Sequence, residues 1–145
     1  MTDVLVTGAL GTIGRHLVQE LRGRGHAVWL LDLRHYHDDK YIRCDVGSFN
    51  QMERVFKGRK FDIVYHLAAE FGRWNGEDYY DTLWRTNVIG TKNLIRWQER
   101  VGFKLVFASS SEVYGDYEGV MSEDVMDNIE IKQLNDYAMT KWVSE

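Results

Sequence analysis

A short apolar run, Val4-Leu5-Val6, passes directly into a turn with glycines at positions 8, 11 and 14, and then into Ile13, Leu17, Val18 and Leu21 at helical spacing. A run without a polar position is the pattern of a strand buried on both faces, and apolar residues recurring every three or four positions are the pattern of a helix with one buried stripe. Strand, glycine turn and helix in that order commit the chain to a layered α/β start. Arg22-Gly23-Arg24-Gly25 ends the segment.

The same alternation continues. Ala27 to Leu33 reads as a second strand, broken only by Asp32 near its end, and Tyr41 to Cys44 as a short third. Met52, Val55 and Phe56 mark a short helix before Gly58; Phe61 to Leu67 is a fourth strand, Asp78 to Arg100 a long helix, and Phe103 to Ala108 a fifth strand. Strands apolar on both faces and separated by helices predict a parallel sheet covered on both sides, because right-handed crossovers place helices there. The expected fold class is therefore doubly wound α/β, with a parallel sheet. The chain holds no proline, so its helix boundaries rest on Gly, Asn and Asp, and Gly115 to Asn135, rich in Asp and Glu, is the expected mobile loop.

Composition narrows the function. With 145 residues and 44% hydrophobic content, one globular domain with a real core is expected. Lys plus Arg number 18 against 22 Asp plus Glu, a net charge of −4, so no overall basic field points to nucleic acid or an anionic membrane, and any phosphate site must be local. No run approaches the roughly 20 apolar residues that span a bilayer. Cys44 is the single cysteine and has no Cys or His cluster near it, which argues against an internal disulfide or a structural metal and suits a reducing, cytoplasmic compartment. His35 and His37 lie in a polar stretch that reads as a surface loop.

In doubly wound sheets ligands bind beyond the carboxyl ends of the strands, where the first strand-to-helix turn lies. Glycines there let the backbone approach a pyrophosphate, whose charge is stabilised by free N–H groups and the positive end of the helix. The spacing is G-x-x-G-x-x-G, through Gly8, Gly11 and Gly14, and by itself it fits an ordinary turn equally well. Asp32 adds to it: 18 residues after Gly14, it closes the second strand where a carboxylate can accept hydrogen bonds from an adenosine ribose. A carboxylate there repels a 2′-phosphate and favours NAD over NADP, a preference that Arg34, two residues on, leaves open.

These residues resemble the short-chain dehydrogenase/reductase superfamily, in its extended branch of NAD-dependent nucleotide-sugar epimerases, dehydratases and decarboxylases, over essentially the whole chain. Thr7-Gly8-Ala9-Leu10-Gly11-Thr12-Ile13-Gly14 is similar to the branch's T-G-x-x-G-x-I-G, and Asp45-Val46 to its adenine-contacting pair. His66-Leu67-Ala68-Ala69 resembles its H-x-A-A/G segment, Asn87-Val88-Ile89-Gly90-Thr91 its N-V-x-G-T helix, and Ser109 to Gly115 its S-S/T-x-x-V-Y-G segment. Tyr137 and Lys141 match the catalytic pair, and counting four residues back from Tyr114 puts Ser110 at the catalytic Ser/Thr position. The resemblance implies a Rossmann-type domain over residues 1–145, NAD as cofactor, a nucleotide-linked sugar as substrate and a homodimer. It assigns cofactor contacts to Gly8, Gly11, Thr12, Ile13, Gly14, Asp32, Asp45, Val46, Leu67, Ala68, Ala69, Asn87, Tyr137 and Lys141. Two departures stand out. Asn135-Asp136 precedes Tyr137 where relatives often have proline, and the chain stops four residues after Lys141, before any C-terminal substrate-binding portion, so a fragment of a longer enzyme is expected.

Residues four apart share a helix face, so Tyr137 and Lys141 can point at one cofactor and substrate. A phenol with a pKa near 10 is a poor base at neutral pH, and a nearby ammonium with a nicotinamide cation would favour its phenolate. Tyr137 is thus the expected acid/base for a sugar hydroxyl, Ser110 a hydrogen-bond partner of the same oxygen and Lys141 a holder of the nicotinamide ribose. Glu112 stands where related 4,6-dehydratases remove a proton next to the new carbonyl and where decarboxylases also carry Glu; this tilts the expectation away from simple epimerisation, although a solvated loop Glu remains the alternative. His66 reads as a hydrogen-bonded core residue, and Asn87 as a bridge between the fourth and fifth strand ends. Trp74, Tyr79, Tyr80 and Trp84 read as core packing or a subunit contact. Two other functions stay open on sequence: a dinucleotide-binding regulator or redox sensor without turnover, and a net carbonyl reductase.

Overall fold

The computed structural model describes residues 1–71 and 78–145. Five parallel strands, β1 (Asp3–Thr7), β2 (Ala27–Asp32), β3 (Tyr41–Arg43), β4 (Ile63–His66) and β5 (Lys104–Phe107), form one sheet in the order β3-β2-β1-β4-β5. The order reverses direction at β1, so the switch point falls between β1 and β4, above which the glycine turn sits. The helices are α1 (Thr12–Gly23), α2 (Phe49–Phe56), α3 (Tyr80–Trp84), α4 (Gly90–Val101), α5 (Val125–Asn128) and α6 (Asp136–Ser144). The fold is the doubly wound Rossmann-type sheet that the alternation predicts.

Period-two alternation in β1 builds both layers at once. Val4 and Val6 face Val18 and Leu21 of α1 together with Val28 and Leu30 of β2. Leu5 faces the opposite layer, where Leu31 and Val64 meet Met52, Val55 and Phe56 of α2 and Leu94 and Trp97 of α4. Phe56 stacks on Trp97 at 5.3 Å and on Phe103 at 5.4 Å between ring centroids, which locks α2 against α4.

Two expectations change. The long helix assigned to Asp78 to Arg100 is interrupted: α3 ends at Trp84, a π-helical turn spans Arg85–Ile89, and α4 continues to Val101. A π turn leaves a carbonyl without its ordinary partner, and here the Asn87 carbonyl accepts instead from Thr91 Oγ1 at 2.6 Å and Ser144 Oγ at 3.2 Å. The segment from Gly115 to Asn135, expected to be a mobile loop, contains α5 and is closed at its base. Asp116 N–H donates to the Lys132 carbonyl at 3.1 Å, Lys132 N–H to Asp116 Oδ1 at 2.9 Å, and Gln133 Nε2 to the Val113 carbonyl at 2.7 Å.

Close helix-strand approach at the first turn is what Gly14 provides. A Cβ at this position would lie 2.3 Å from the Gly8 carbonyl oxygen and 2.8 Å from Ala9 Cα, both backbone atoms that cannot swing away. Gly14→Ala is expected to destabilise the fold by about 1–3 kcal/mol through overpacking, read as a lower urea midpoint with an unchanged slope.

Candidate active site

The cradle starts where β1 ends. Gly8 has φ of +66°, and a Cβ there would lie 2.8 Å from Ala68 N, so only glycine permits the loop to rest on the strand-end segment after β4. α1 begins with Gly11 as its cap residue, has no side-chain cap and no acidic residue in its first turn. The N–H groups of Thr12 and Ile13 therefore open, without an intrahelical acceptor, onto the glycine loop. A glycine-lined loop against an uncapped twelve-residue helix fits a diphosphate.

Beside it lies a cleft of about 180 Å³ bounded by Gly8, Gly11, Asp32, Asp45, Val46 and Leu67 to Ala69, which places most of the assigned cofactor residues around one space. Cys44, Leu33, Glu70 and Thr86 also line it, residues for which the sequence carried no signal. Asp32 Oδ2 accepts from Leu10 N–H at 3.0 Å, and Oδ1 accepts from Arg34 N–H at 3.2 Å and pairs with Arg34 Nε at 3.4 Å, so the carboxylate ties the glycine loop to β2 and keeps a lone pair on Oδ2 for a ligand. Asp45 accepts from Gly47 N–H at 2.8 Å and pairs with Arg85 at 2.9 Å. The Val46 carbonyl is held by Asn93 Nδ2 at 2.8 Å.

The candidate reacting groups assemble at the same edge of the sheet. Thr7 is in register with His66, and His66 with Phe107, so the cradle above β1 and the serine turn after β5 are two strand spacings apart, about 10 Å. Ser110 Oγ caps the 3-10 turn Ser111–Tyr114 by accepting from Glu112 N–H at 3.2 Å. Lys141, 4% exposed, donates from Nζ to the Ala108 carbonyl at 2.8 Å, and lies 5.9 Å from the Tyr137 ring centroid and 5.0 Å from that of Phe107. Burial lowers the Lys141 pKa to about 8.

Tyr137 is half-buried. Its pKa is raised above the ordinary phenol value, first by burial; the Ser110 hydroxyl hydrogen bond pulls it down and the Glu112 carboxylate pushes it up. The Lys141 ammonium, directed at a carbonyl and at the ring face, does not by itself favour the phenolate.

Asn87 stands behind the cleft with its amide committed to protein. Oδ1 accepts from Glu70 N–H at 2.9 Å, while Nδ2 donates to the Glu70 carbonyl at 3.2 Å and to Thr140 Oγ1 at 2.9 Å. Thr140 Oγ1 in turn donates to the Tyr137 carbonyl at 2.8 Å. The bridge thus joins the exit of β4 to α6, and not to β5 as the sequence suggested. Trp84 Nε1 adds a second tie to α6 by donating to Asp136 Oδ1 at 2.8 Å, which gives Trp84 a role that core packing does not describe. Tyr79 and Tyr80 are exposed rather than in the core, and Trp74 lies outside the described residues.

His66 is a core residue, as its apolar strand implies. Thr91 Oγ1 gives its proton to the Asn87 carbonyl, so it accepts from His66 Nε2 at 3.1 Å; Nδ1 then accepts from Thr7 Oγ1 at 2.7 Å, and Thr7 Oγ1 accepts from Ala68 N–H at 3.1 Å. The imidazole is neutral, its pKa lowered to about 3 by burial and by Lys141. No group of His, Cys, Asp and Glu among the described residues could hold a metal, and no described helix is long and apolar enough to cross a membrane.

The family model for the NAD-dependent epimerase/dehydratase family matches residues 4–145. The chain belongs to the NAD-dependent epimerase/dehydratase family. It is 35% identical over 130 residues to a UDP-N-acetyl-alpha-D-glucosaminuronate decarboxylase of Bacillus cytotoxicus, covering 83% of this chain and 40% of that protein. It is 31% identical, over an alignment of 164 positions, to UDP-glucose 4-epimerase 3 of Oryza sativa subsp. japonica, covering 99% of this chain and 43% of the relative. Among solved structures, MoeE5 in complex with UDP-glucuronic acid and NAD superimposes with a TM-score of 0.80 at 36% identity, over 98% of this chain and 46% of MoeE5. The NAD complex of the Thermus thermophilus UDP-glucose 4-epimerase does so with a TM-score of 0.82 at 30% identity, over 97% of this chain and 48% of that one. This family member therefore spans less than half the length of these relatives.

The neutral His66 carries a pH signature. Its folded pKa of about 3 lies below the ordinary 6.5, so the unfolded chain binds a proton that the native state refuses between those values. Its contribution is present above pH 6.5 and is lost as pH falls towards 3. Urea midpoints measured across that window should fall in the parent, and His66→Gln, which cannot titrate, should flatten the descent while lowering the midpoint at pH 7.

Proposed function

We propose that residues 1–145 form the NAD-binding and proton-transfer domain of an enzyme that transiently oxidises a hydroxyl of a nucleotide-linked sugar. The observation that carries this reading is the placement of Ser110, Tyr137 and Lys141 at the same carboxyl edge of the sheet as the uncapped α1 and its glycine loop. Gly8, Gly11 and Gly14, with the N–H groups of Thr12 and Ile13, would hold the diphosphate. Asp32 would hold the adenosine ribose and disfavour a 2′-phosphate, and Asp45 and Val46 would meet the adenine. Bound there, NAD supplies a reversible hydride acceptor.

The chain's own residues handle the proton. Tyr137 takes it from the sugar hydroxyl as the carbon–hydrogen bond gives up hydride, and returns it in the reverse step. Ser110 hydrogen-bonds the same oxygen, and Lys141 holds the nicotinamide ribose. With the cofactor bound, the nicotinamide's positive charge would offset the burial and the Glu112 charge that raise the phenol's pKa, and so would favour the phenolate. Asn87 acts by fixing α6 rather than by touching the ligand.

Glu112, within electrostatic reach of Tyr137, suits removal of the proton beside the new carbonyl in a dehydratase, or return of a proton to that carbon once carbon dioxide has left in a decarboxylase, and supports either over a simple 4-epimerase. The similarity to a UDP-sugar decarboxylase and to MoeE5 bound to UDP-glucuronic acid favours a uronic-acid substrate and loss of carbon dioxide, while the rice relative keeps epimerisation as the second reading. Exposed Met139, Trp142 and Val143 on α6 are consistent with a homodimer, and the buried free thiol of Cys44 with a reducing cytoplasm.

The test is to incubate the complete protein, loaded with NAD, with UDP-glucuronic acid and UDP-glucose and to follow product mass. Loss of carbon dioxide, loss of water or an isomer of unchanged mass separates the three reactions. Tyr137→Phe should reduce turnover by about 100-fold or more while NAD still binds; full turnover in that variant refutes the assigned role.

A further inference from the structure

Asn135 sits where two parts of the site meet. As the cap residue of α6 it is extended, with φ of −159° and ψ of 167°, and its Oδ1 accepts from Ala138 N–H at 2.7 Å. Its Nδ2 points the other way and donates to Glu112 Oε2 at 2.9 Å. One planar amide thus starts the helix that carries Tyr137 and grips a carboxylate on the serine turn, 23 residues away in sequence. Capping needs only an acceptor, so the donor half is a second, separable interaction.

We propose that Asn135 is a positioning residue that fixes the Glu112 carboxylate beside Tyr137 independently of its role in capping α6. This deepens the proton-transfer reading of the site and rests on it for its functional meaning, while the geometry stands on its own. Among the described residues, the groups facing the phenol are few. From the serine turn come the Ser110 hydroxyl and the Glu112 carboxylate. On α6, Lys141 lies over the ring, and Asp136 is engaged by Trp84 from α3. Phe71, from the segment after β4, meets the ring edge-on at 5.8 Å between centroids. Among these Glu112 is the group whose charge raises the phenol pKa, and Asn135 is what holds that charge in place. A fixed carboxylate near the candidate acid/base opposes its phenolate form.

The test is a double-mutant cycle read on Tyr137 ionisation in the complete protein. Tyrosine is replaced by its ring-fluorinated analogue, and the Tyr137 signal is assigned by fluorine NMR against Tyr137→Phe. Glu112→Gln should lower the Tyr137 pKa by removing a like charge. Asn135→Ser keeps a good cap but cannot reach Glu112, and should reproduce more than half of that fall; in the Glu112→Gln background it should change nothing. An equal change in both backgrounds would mean that Asn135 acts only as a cap. A Tyr137 pKa unmoved by Asn135→Ser, or by Glu112→Gln, would likewise overturn the proposal. Because this readout needs no substrate, its failure is distinct from a failure of Tyr137→Phe to reduce turnover.

Discussion

The buried amide of Asn87 is the point on which the site's geometry depends. It is 2% exposed, and its donor and acceptor groups are all taken by Glu70 and Thr140, while its backbone carbonyl receives two hydroxyls. A buried amide left without partners would cost about 1–3 kcal/mol for each unmet group, so the segments that supply those partners are drawn to one place. The segment after β4 forms the floor of the cleft, and α6 carries the phenol and the ammonium. The π turn is the local distortion that accommodates this junction, and α4 resumes its regular course beyond it to pack on the core.

From that junction a directional chain of hydrogen bonds runs through Thr91, His66 and Thr7 to the Ala68 N–H, tying the helix side of the site to the cradle side. Each hydroxyl in it both donates and accepts, which leaves the imidazole one neutral tautomer and no proton to exchange with a substrate. The interior therefore separates structural polar groups from those proposed to react. Those in the chain are satisfied and silent, whereas Ser110, Glu112 and Tyr137 remain partly exposed at the lip. Lys141 stands between: buried, still bearing a proton below about pH 8, and aimed at a carbonyl of the strand end.

Most of the fold could be read in advance because its signals are local. Val4-Leu5-Val6, the glycine turn and the Ile13 to Leu21 stripe specify β1, its turn and α1 by period alone, and the other strands were found with ends misplaced by one or two residues. The π turn could not be read, since the apolar spacing of Asp78 to Arg100 runs through Arg85 to Ile89 without a break, and the bonds of Asn87 to Glu70, Thr140 and Ser144 come from distant segments. The loop from Gly115 to Asn135 looked free because its acidic composition says nothing about the Asp116 to Lys132 and Gln133 to Val113 bonds that close it. Asn135 drew notice only for standing where relatives often have proline; its cap of α6 and its grip on Glu112 are contacts that the folded chain supplies.

Sequence by itself determined the layer order, the parallel sheet and the glycine cradle with its acidic strand end, because each depends on residue type and spacing within a few turns of chain, while the resemblance to a known family singled out the Ser, Tyr and Lys set. Only tertiary structure decided what those groups experience: that Lys141 is buried and directed at Ala108, that the phenol is raised rather than lowered in pKa, that Asn87 supports α6, and that Asn135 couples the cap to Glu112. Desolvation and hydrogen-bond partnership are set by whatever the rest of the chain brings within a few ångströms, and the identity of the residue does not carry that information.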